Sequence, residues 1–491
     1  MRITNKIIQN NSLTNINNNR VLQDKLSTQV ATGKKIARPS EDPIVALRSL
    51  RLRTNANQTD QYLKKNVEDA ESWLSVTEDA IDTLSSIITD IRKQYVKGNV
   101  DSLAVSDRDV IRENLEALQQ EIYNTGNADF AGRSVFTGYR TESSLTFQSN
   151  ADIDYEITET FLMSSNDKKS SVNVADTINY VHTGDLKGAT ANEQDVYSEN
   201  ITRLRLSYND CSNSTISLET SDGTVMTATT VTRDSNPDPY ETVVNDPNAI
   251  IYVPETGEVL LGKNVAANPQ LSAGEVKVTY HKENWLKGDL KPEHYFSCKD
   301  ITNGIDYNVS DSTGEIEYNV GVNQTLRVNT LANECFNHDI AREVQDLLNA
   351  INEVEKIEDT ISSLQKEYNS LPETDTAGRE AVQVKIDAAR KAQTFLNSKL
   401  HDLFSAGIGN SDNYIDRNNL ALTNSGTRSK RLELIKNRLE TQKTTIDELK
   451  SENEDADLAE TAIKLSSAEY SYNAALMASG KIMKDSLLNY I

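Results

Sequence analysis

Cysteine and basic charge are scarce in this chain of 491 residues. Its three cysteines, Cys211, Cys298 and Cys335, are odd in number and far apart, which argues against a disulfide framework. Its 51 basic residues are outnumbered by 74 acidic ones, giving a net charge of −23. We therefore do not expect wholesale binding to nucleic acid or to an anionic membrane, because like charges repel.

Long hydrophobic runs are also missing. No segment is apolar enough to span a bilayer, and no stretch near Met1 is long enough to be a cleavable signal. The hydrophobic fraction of 37% is low for a compact globule, as expected of long helices that bury a single stripe. Taken alone, these features indicate a cytoplasmic protein, and they also fit export without a cleaved signal.

The motifs that would support catalysis or metal binding are incomplete. Gly407-Ile408-Gly409 lacks the third glycine of a nucleotide-binding loop and follows a helix pattern rather than a strand. Cys335 and His338 could supply two metal ligands, but no second pair completes a zinc site. Asp455 and Asp457 resemble part of a calcium loop whose glycine and distant glutamate are missing. We therefore predict a protein that is not an enzyme and uses no cofactor and no metal.

Apolar seams near both ends of the chain give the strongest structural signal. Apolar residues recur every three or four positions from Leu63 and again from Leu432, a spacing typical of coiled coils. Two matching seams can pair when the chain folds as a hairpin with its ends side by side. The predicted bundle core consists of Leu63, Val67, Leu74, Ile81, Leu84, Ile88, Ile91, Leu432, Ile435, Leu439, Ile446 and Leu449.

Helix signals divide the N-terminal region into three segments. A weak stripe predicts a helix over 4–32, with Gly33 as its C-cap. Asp42 followed by Pro43 is a favourable helix start, because the carboxylate caps free N–H groups and proline has none to leave unpaired. The second helix should run over 43–97, and a third from Ser106 to about Gly126.

Between about 140 and 336 the apolar period changes from helical to two. Ile153, Tyr155 and Ile157 alternate with acidic residues, which predicts a strand. Asp222-Gly223 and Thr256-Gly257 fit hairpin turns between such strands. We therefore predict an inserted, mostly antiparallel β domain.

Helical patterns return at about His338. Two stripes separated by 372–378 predict a helical hairpin over about 340–405, followed by a loop at 407–410 and a further helix. The stripe slips phase across the acidic residues 451–457, which suggests a joint. Residues 1–60 carry ten basic and four acidic residues, a net charge of +6, whereas 451–460 carry five acids. Either these charges lie on solvated faces, or the basic and acidic ends meet.

Short motifs at the two ends occur together in a known family. They are MRITN (1–5), TGKKI (32–36), PSEDP (39–43), FAGR (130–133), FTG (136–138), DLAE (457–460) and SLLNYI (486–491). In order and spacing they resemble the flagellin superfamily, although Glu41 stands where that family usually has aspartate. The C-terminal ending favours the hook–filament junction subunits over the flagellins.

This resemblance implies a secreted structural subunit of the extracellular bacterial flagellum, exported by the flagellar type III apparatus. Its partners would be the other hook–filament junction protein, flagellin, copies of itself in a ring, and an export chaperone at the C-terminal region. We expect no nucleic acid or membrane partner. The expected assembly interface lies on the terminal helices at Ile8, Ile16, Leu22, Leu26, Leu458, Leu465, Tyr472, Leu476, Met483, Leu487, Leu488, Tyr490 and Ile491.

The expected fold class is α+β, an elongated coiled coil or bundle built from both chain ends with the β domain inserted. We predict three parts. They are terminal assembly helices (1–40 with 455–491), a helical bundle (41–140 with 337–454) and an outward-facing β domain (141–336). Two alternatives stay open: flagellin itself, or a secreted coiled-coil adhesin or effector with a β binding domain.

Overall fold

Long helices lie on both sides of a strand-rich middle in the sequence. The computed structural model describes residues 5–100, 105–163, 173–182, 196–268, 271, 274–308 and 314–488. The predicted α+β class with an inserted, mostly antiparallel region is confirmed. The described α-helices are α1 Asn5–Thr32, α2 Pro43–Gln61, α3 Glu68–Gly98, α4 Val105–Thr125, α5 Pro239–Asn245, α6 Lys263–Ala266, α7 Ala332–Cys335, α8 His338–Ser370, α9 Thr376–Glu454 and α10 Leu458–Leu488.

The ends of the first helices follow the local signals of the sequence. Gly33 ends α1 with a φ of +69°, a conformation that costs glycine little, and its N–H donates to Gln29 O at 2.9 Å. Asp42 caps α2 by accepting from the N–H of Ile44 at 3.0 Å, and Pro43 is the first helical residue. A π-helical turn, Tyr62–Val67, connects α2 to α3. The predicted second helix is therefore one helical stretch with a local widening.

Sixteen strands are present among the described residues. They are β1 Asp129–Phe130, β2 Arg133–Ser134, β3 Ala151–Leu162, β4 Asn173–Val174, β5 Asp176–His182, β6 Tyr197–Arg205, β7 Ser217–Thr220, β8 Val225–Thr227, β9 Thr229–Thr230, β10 Ile250–Val253, β11 Glu258–Leu261, β12 Glu275–Trp285, β13 Ser297–Asp300, β14 Ile305–Tyr307, β15 Glu317–Gly321 and β16 Gln324–Arg327.

These strands form two larger sheets and two hairpins. One sheet has the order β14-β13-β3-β12-β7-β8 with β4 beside β3, and the other has the order β5-β6-β11-β10-β9. The described pairs are antiparallel except β3 with β4 and β9 with β10. Alternate residues of β3 over 155–161 are buried, as the period of two predicts. The predicted turns at 222–223 and 256–257 join β7 to β8 and β10 to β11.

The chain divides into two compact units. The first contains Met1–Asp69, Asn319–Thr325 and Arg431–Ile491, and the second contains Ala70–Tyr318 and Leu326–Lys430. Each combines segments that are distant in sequence. The predicted division into three parts, with bounds at 40, 140, 336 and 454, stays a prediction.

In the second unit, α3 packs antiparallel to the middle of α9. The ring of Tyr95 meets that of Phe404 edge-on at 6.4 Å, and Arg92 pairs with Asp412 at 2.8 Å. Further along, Ser425 donates to Glu78 at 3.1 Å. Five predicted seam residues are almost completely buried on α3: Leu74, Ile81, Leu84, Ile88 and Ile91.

The predicted loop at 407–410 is wrong, because α9 is continuous from Thr376 to Glu454. The glycine that suggested a loop serves close packing instead. A Cβ at Gly407 would lie 2.8 Å from the ring of Tyr95. The contact with α3 therefore favours glycine inside the helix, where its low helix propensity would otherwise be a disadvantage.

Candidate assembly interface

The terminal helices α1 and α10 pack against each other in the first unit. Among the described side chains of this pair, Leu26 and Ala468 are the buried apolar ones, and the polar Thr461 is buried with them. Of the predicted interface residues, Ile8, Ile16, Leu465 and Tyr472 are half-buried, and Leu22, Leu458 and Leu476 are exposed. The side chains of Met483, Leu487 and Leu488, and the residues Tyr490 and Ile491, lie outside the described part of the chain.

Further apolar side chains of this helix pair face solvent, and the sequence stripe did not identify them. Tyr470 is 78% exposed and Met477 is 72% exposed. They lie off the predicted stripe, but Ile463, Tyr470 and Met477 recur every seven residues, and this second spacing could have indicated them. The other exposed members are Ile7, Leu13, Val21, Val30 and Ile463. Contiguous exposed apolar surface is typical of protein contact surfaces.

The rest of the predicted bundle core lies in the first unit. Val67, Leu432, Ile435, Leu439 and Ile446 are buried there, and Leu63 is half-buried.

The prediction that Leu449 is a core residue is wrong, since it is 47% exposed. At the next helical turn, polar groups take the buried positions instead. Asn453 donates to Val45 O at 3.1 Å, and Glu454 bonds to Arg53. The core stripe of α9 therefore ends at Ile446, short of the polar contacts that close this end of the helix.

Two chain connections lie side by side where the terminal helices join the rest of the first unit. We call this the joint, residues 33–36 and 454–456. Lys34 and Asp455 form an antiparallel β-bridge. On either side, Lys35 N donates to Glu454 O at 2.8 Å and Ala456 N donates to Gly33 O at 2.9 Å. The predicted joint at 451–457 is thus the connection between α9 and α10. It is hydrogen-bonded to the connection that follows α1.

Glu454 is the buried centre of the joint. Its carboxylate accepts two bonds from the Arg53 guanidinium, both at 2.7 Å, and one from Ser49 Oγ at 2.5 Å. The Arg53 bonds, followed by those of Ser49 and the charge of Lys34, lower the pKa of Glu454 to about 2. Lys34 also pairs with Asp455 at 2.5 Å. Of the two interpretations of the charge pattern, the structure favours the meeting of basic and acidic ends.

A cleft of about 730 Å³ lies in the second unit between the smaller sheet and helices α8 and α9. Its central charge is the buried Arg203, which bonds to Glu258 and Asp176 at 2.7 Å and to Asp346 at 2.8 Å. Burial alone would raise the pKa of Glu258, but the charge of Arg203 lowers it below its ordinary value. These carboxylates are therefore held as ion-pair partners, and they link the sheet to α8.

The described residues contain neither a metal-binding cluster nor a membrane-spanning helix. No group of three or more His, Cys, Asp or Glu residues is arranged there to hold a metal ion. No described helix combines the length and hydropathy that crossing a membrane requires.

Comparison with known proteins identifies the N-terminal region. Residues 3–141 match the family model of the bacterial flagellin N-terminal helical region. This part of the chain is therefore similar to the N-terminal helical region of the flagellins. The match covers α1 to α4 and confirms the resemblance to the flagellin superfamily that the end motifs indicated.

Curated flagellar proteins are similar to part of this chain. Flagellar hook-associated protein 3 of Salmonella typhimurium is 28% identical over 144 residues, which are 29% of this chain and 45% of the relative. The same protein of Escherichia coli is 26% identical over 144 residues, with the same coverage. A flagellin of Clostridium tyrobutyricum is 24% identical over 194 residues, 39% of this chain and 51% of the relative. The chain thus spans about half the length of the curated relatives it matches.

Two solved structures are also similar. A putative flagellar hook-associated protein from Vibrio parahaemolyticus is 13% identical with a TM-score of 0.35, covering 84% of this chain and 100% of the other. Flagellar hook-associated protein 3 from Legionella pneumophila is 11% identical with a TM-score of 0.30, covering 81% and 96%. Both superpositions are weak.

Proposed function

We propose that this chain is a structural subunit of the bacterial flagellum that forms the junction between hook and filament. The observation that carries this proposal is the flagellin-type N-terminal region, together with relatives named flagellar hook-associated protein 3. The proposed role is mechanical rather than enzymatic. In this role the protein acts outside the cell, after export through the flagellar type III apparatus without signal cleavage.

The exposed apolar side chains of α1 and α10 are the structural argument for assembly through the terminal helices. Full burial of one Leu, Ile or Met side chain contributes about 1.5–3 kcal/mol, and several such side chains face solvent on this pair. Their burial against neighbouring subunits would hold a ring of copies together. In the proposed assembly, the ring contacts the other hook–filament junction protein on one side and flagellin on the other.

The same apolar surface needs protection before export. An apolar helix pair that is unassembled in the cytoplasm favours aggregation, so we propose an export chaperone that covers the C-terminal region. We also keep the three-part division as a proposal, with terminal assembly helices, a helical bundle, and a β domain over 141–336 that faces outward.

Flagellin is the second candidate, because a flagellin also matches this chain. Immunolabelling of isolated flagella separates the two functions. The junction role predicts one labelled band at the hook–filament boundary, and loss of the protein should leave hooks intact while flagellin is shed into the medium. Label along the whole filament, or unaided growth of long filaments by purified protein, would establish flagellin instead. Normal flagella without label would support the adhesin or effector alternative.

A further inference from the structure

A basic and apolar patch lies near the start of α2. Ile44, Leu47 and Leu50 are exposed by 73%, 54% and 62% of their surface. The exposed Arg48 and Arg51 lie among them. We call these five residues the α2 patch. No ion pair within the described residues involves either arginine. Apolar side chains interleaved with free guanidinium groups are typical of a contact surface for an acidic partner.

An acidic and apolar patch lies near the end of α9. Leu449 is 47% exposed, and Glu448 directly before it and Glu452 one turn later are exposed as well. We call these three residues the α9 patch. Neither carboxylate takes part in an ion pair within the described residues. The two patches are therefore complementary in charge, and each provides apolar surface.

Within one chain, Leu47 of the α2 patch and Glu448 of the α9 patch lie on the outer faces of their helices. Leu47 precedes the buried Ala56 by nine residues, about two and a half helical turns, and so lies on the opposite face of its helix. Glu448 follows the buried Leu439 by the same number of residues and likewise faces away from the core. The bonds between Arg53 and Glu454 tie the inner sides of α2 and α9 together.

We propose that the α2 patch of one copy binds the α9 patch of a second copy of this chain. Such a contact joins two different surfaces of identical subunits, and repeated contacts of this kind build rings or helical arrays. The proposal rests on the proposed junction function, because assembly in the flagellum brings the copies together. It adds a contact outside the terminal helices, close to the joint.

Cross-linking tests which surfaces meet. Leu47→Cys and Leu449→Cys are introduced together, and isolated flagella are treated with a short bifunctional maleimide. The native Cys211, Cys298 and Cys335 are buried and unpaired, so they leave the engineered thiols as the reactive pair. We expect a ladder of cross-linked multimers from the double variant and none from either single variant. A missing ladder in the double variant, or an equal ladder from one single variant, would overturn the proposal.

Charge exchange tests whether complementarity holds the contact. Arg48→Glu with Arg51→Glu places like charges against the next copy, as does Glu448→Arg with Glu452→Arg. Each pair should lower the fraction of hooks that carry filaments by at least about tenfold, because like charges across an interface cost several kcal/mol. The four substitutions together restore opposite charges and should recover filaments.

A matched control changes the charge by the same amount elsewhere. Lys65→Glu with Arg431→Glu alters two exposed bases in the first unit, and Lys65 lies about 25 Å along the helical stretch from Arg48. This variant should keep its filaments. If the combined exchange does not rescue the α2 reversal, the α2 patch binds another protein, such as flagellin, and the proposal is wrong.

Failure of the proposed function would look different. In that case, either complete loss of the protein leaves the filaments unchanged, or the immunolabel runs along the whole filament, whatever the charge variants do. Circular dichroism melting of the purified variants shows whether each one folds, since substitutions at these exposed positions should leave the melting temperature nearly unchanged.

Discussion

Two helix pairs that each carry an apolar stripe differ in how much of that stripe they bury. Along α3, where it packs on α9, Leu74, Ile81 and Leu84 are almost completely enclosed. Along α1 and α10, most apolar side chains stay open to solvent and Leu26 is an exception. Spacing therefore predicts a helix with an apolar stripe, but not whether the stripe is covered by the same chain or by another.

The largest effect should follow from placing a charge in the covered seam. Leu84→Asp buries a carboxylate without a partner and should lower the free energy of unfolding by more than about 3 kcal/mol. Ser86→Asp, two residues away and exposed, should change it by less than about 0.5 kcal/mol. Chemical denaturation followed by circular dichroism measures both. Equal losses would show that α3 is not enclosed as described.

A smaller effect is expected at the joint, where α1 and α10 meet the rest of the first unit. Glu454→Gln removes the charge that Arg53 binds and should cost about 1–3 kcal/mol locally. Hydrogen exchange at the amides of Lys35 and Ala456, which bond across the joint, should become faster. Glu440→Gln, at an exposed position of the same helix, serves as the control. Unchanged exchange in Glu454→Gln would mean that the backbone bonds alone hold the joint.

The pH dependence of the joint follows from the same group. The pKa of Glu454 falls from its ordinary 4.5 to about 2 in the folded chain. A depressed carboxyl pKa adds stability above the unfolded value and loses it as the pH falls through the folded one. Protection of the joint amides should therefore decline between about pH 4.5 and pH 2. In Glu454→Gln this part of the pH dependence should disappear.

Two glycines of α9 should respond in opposite directions. At Gly407→Ala the new methyl group would lie 2.8 Å from the Tyr95 ring, so overpacking should destabilise the fold by about 1 kcal/mol or more. At Gly409→Ala there is nothing within 4 Å, and improved helix propensity should stabilise it by up to about 1 kcal/mol. Thermal melting of the two variants provides the comparison. A shift of the same sign in both would argue against the close contact with α3.

The smallest effect on the isolated chain should come from the open pair. Tyr470→Ser and Met477→Ser remove exposed apolar groups and should each change the free energy of unfolding by less than about 0.5 kcal/mol. Assembly should suffer much more, with flagellin released from cells that express the double variant. If the purified variants melt far below the parent chain, these side chains are part of a core after all.

Local signals predicted much of this fold. Asp42 and Pro43 begin α2, Gly33 ends α1, and the period of two located β3. The wrong predictions fall where contacts with distant parts of the chain decide the local structure. Gly407 indicated a loop because its packing partner, Tyr95, is far away in sequence. Leu449 belonged to a stripe by spacing, yet the polar contacts of the joint replaced that stripe before the helix ended.

The three buried cysteines can serve as probes of unfolding in the second unit. Burial raises the pKa of Cys211 and Cys298 to about 12 and raises that of Cys335 as well, so in the closed fold their thiols are shielded and protonated. An alkylating reagent should therefore modify each site only when its surroundings unfold. Mass spectrometry of the labelled chain would then time the opening of the strand-rich region, at Cys211 and Cys298, separately from that of the short helix α7 at Cys335.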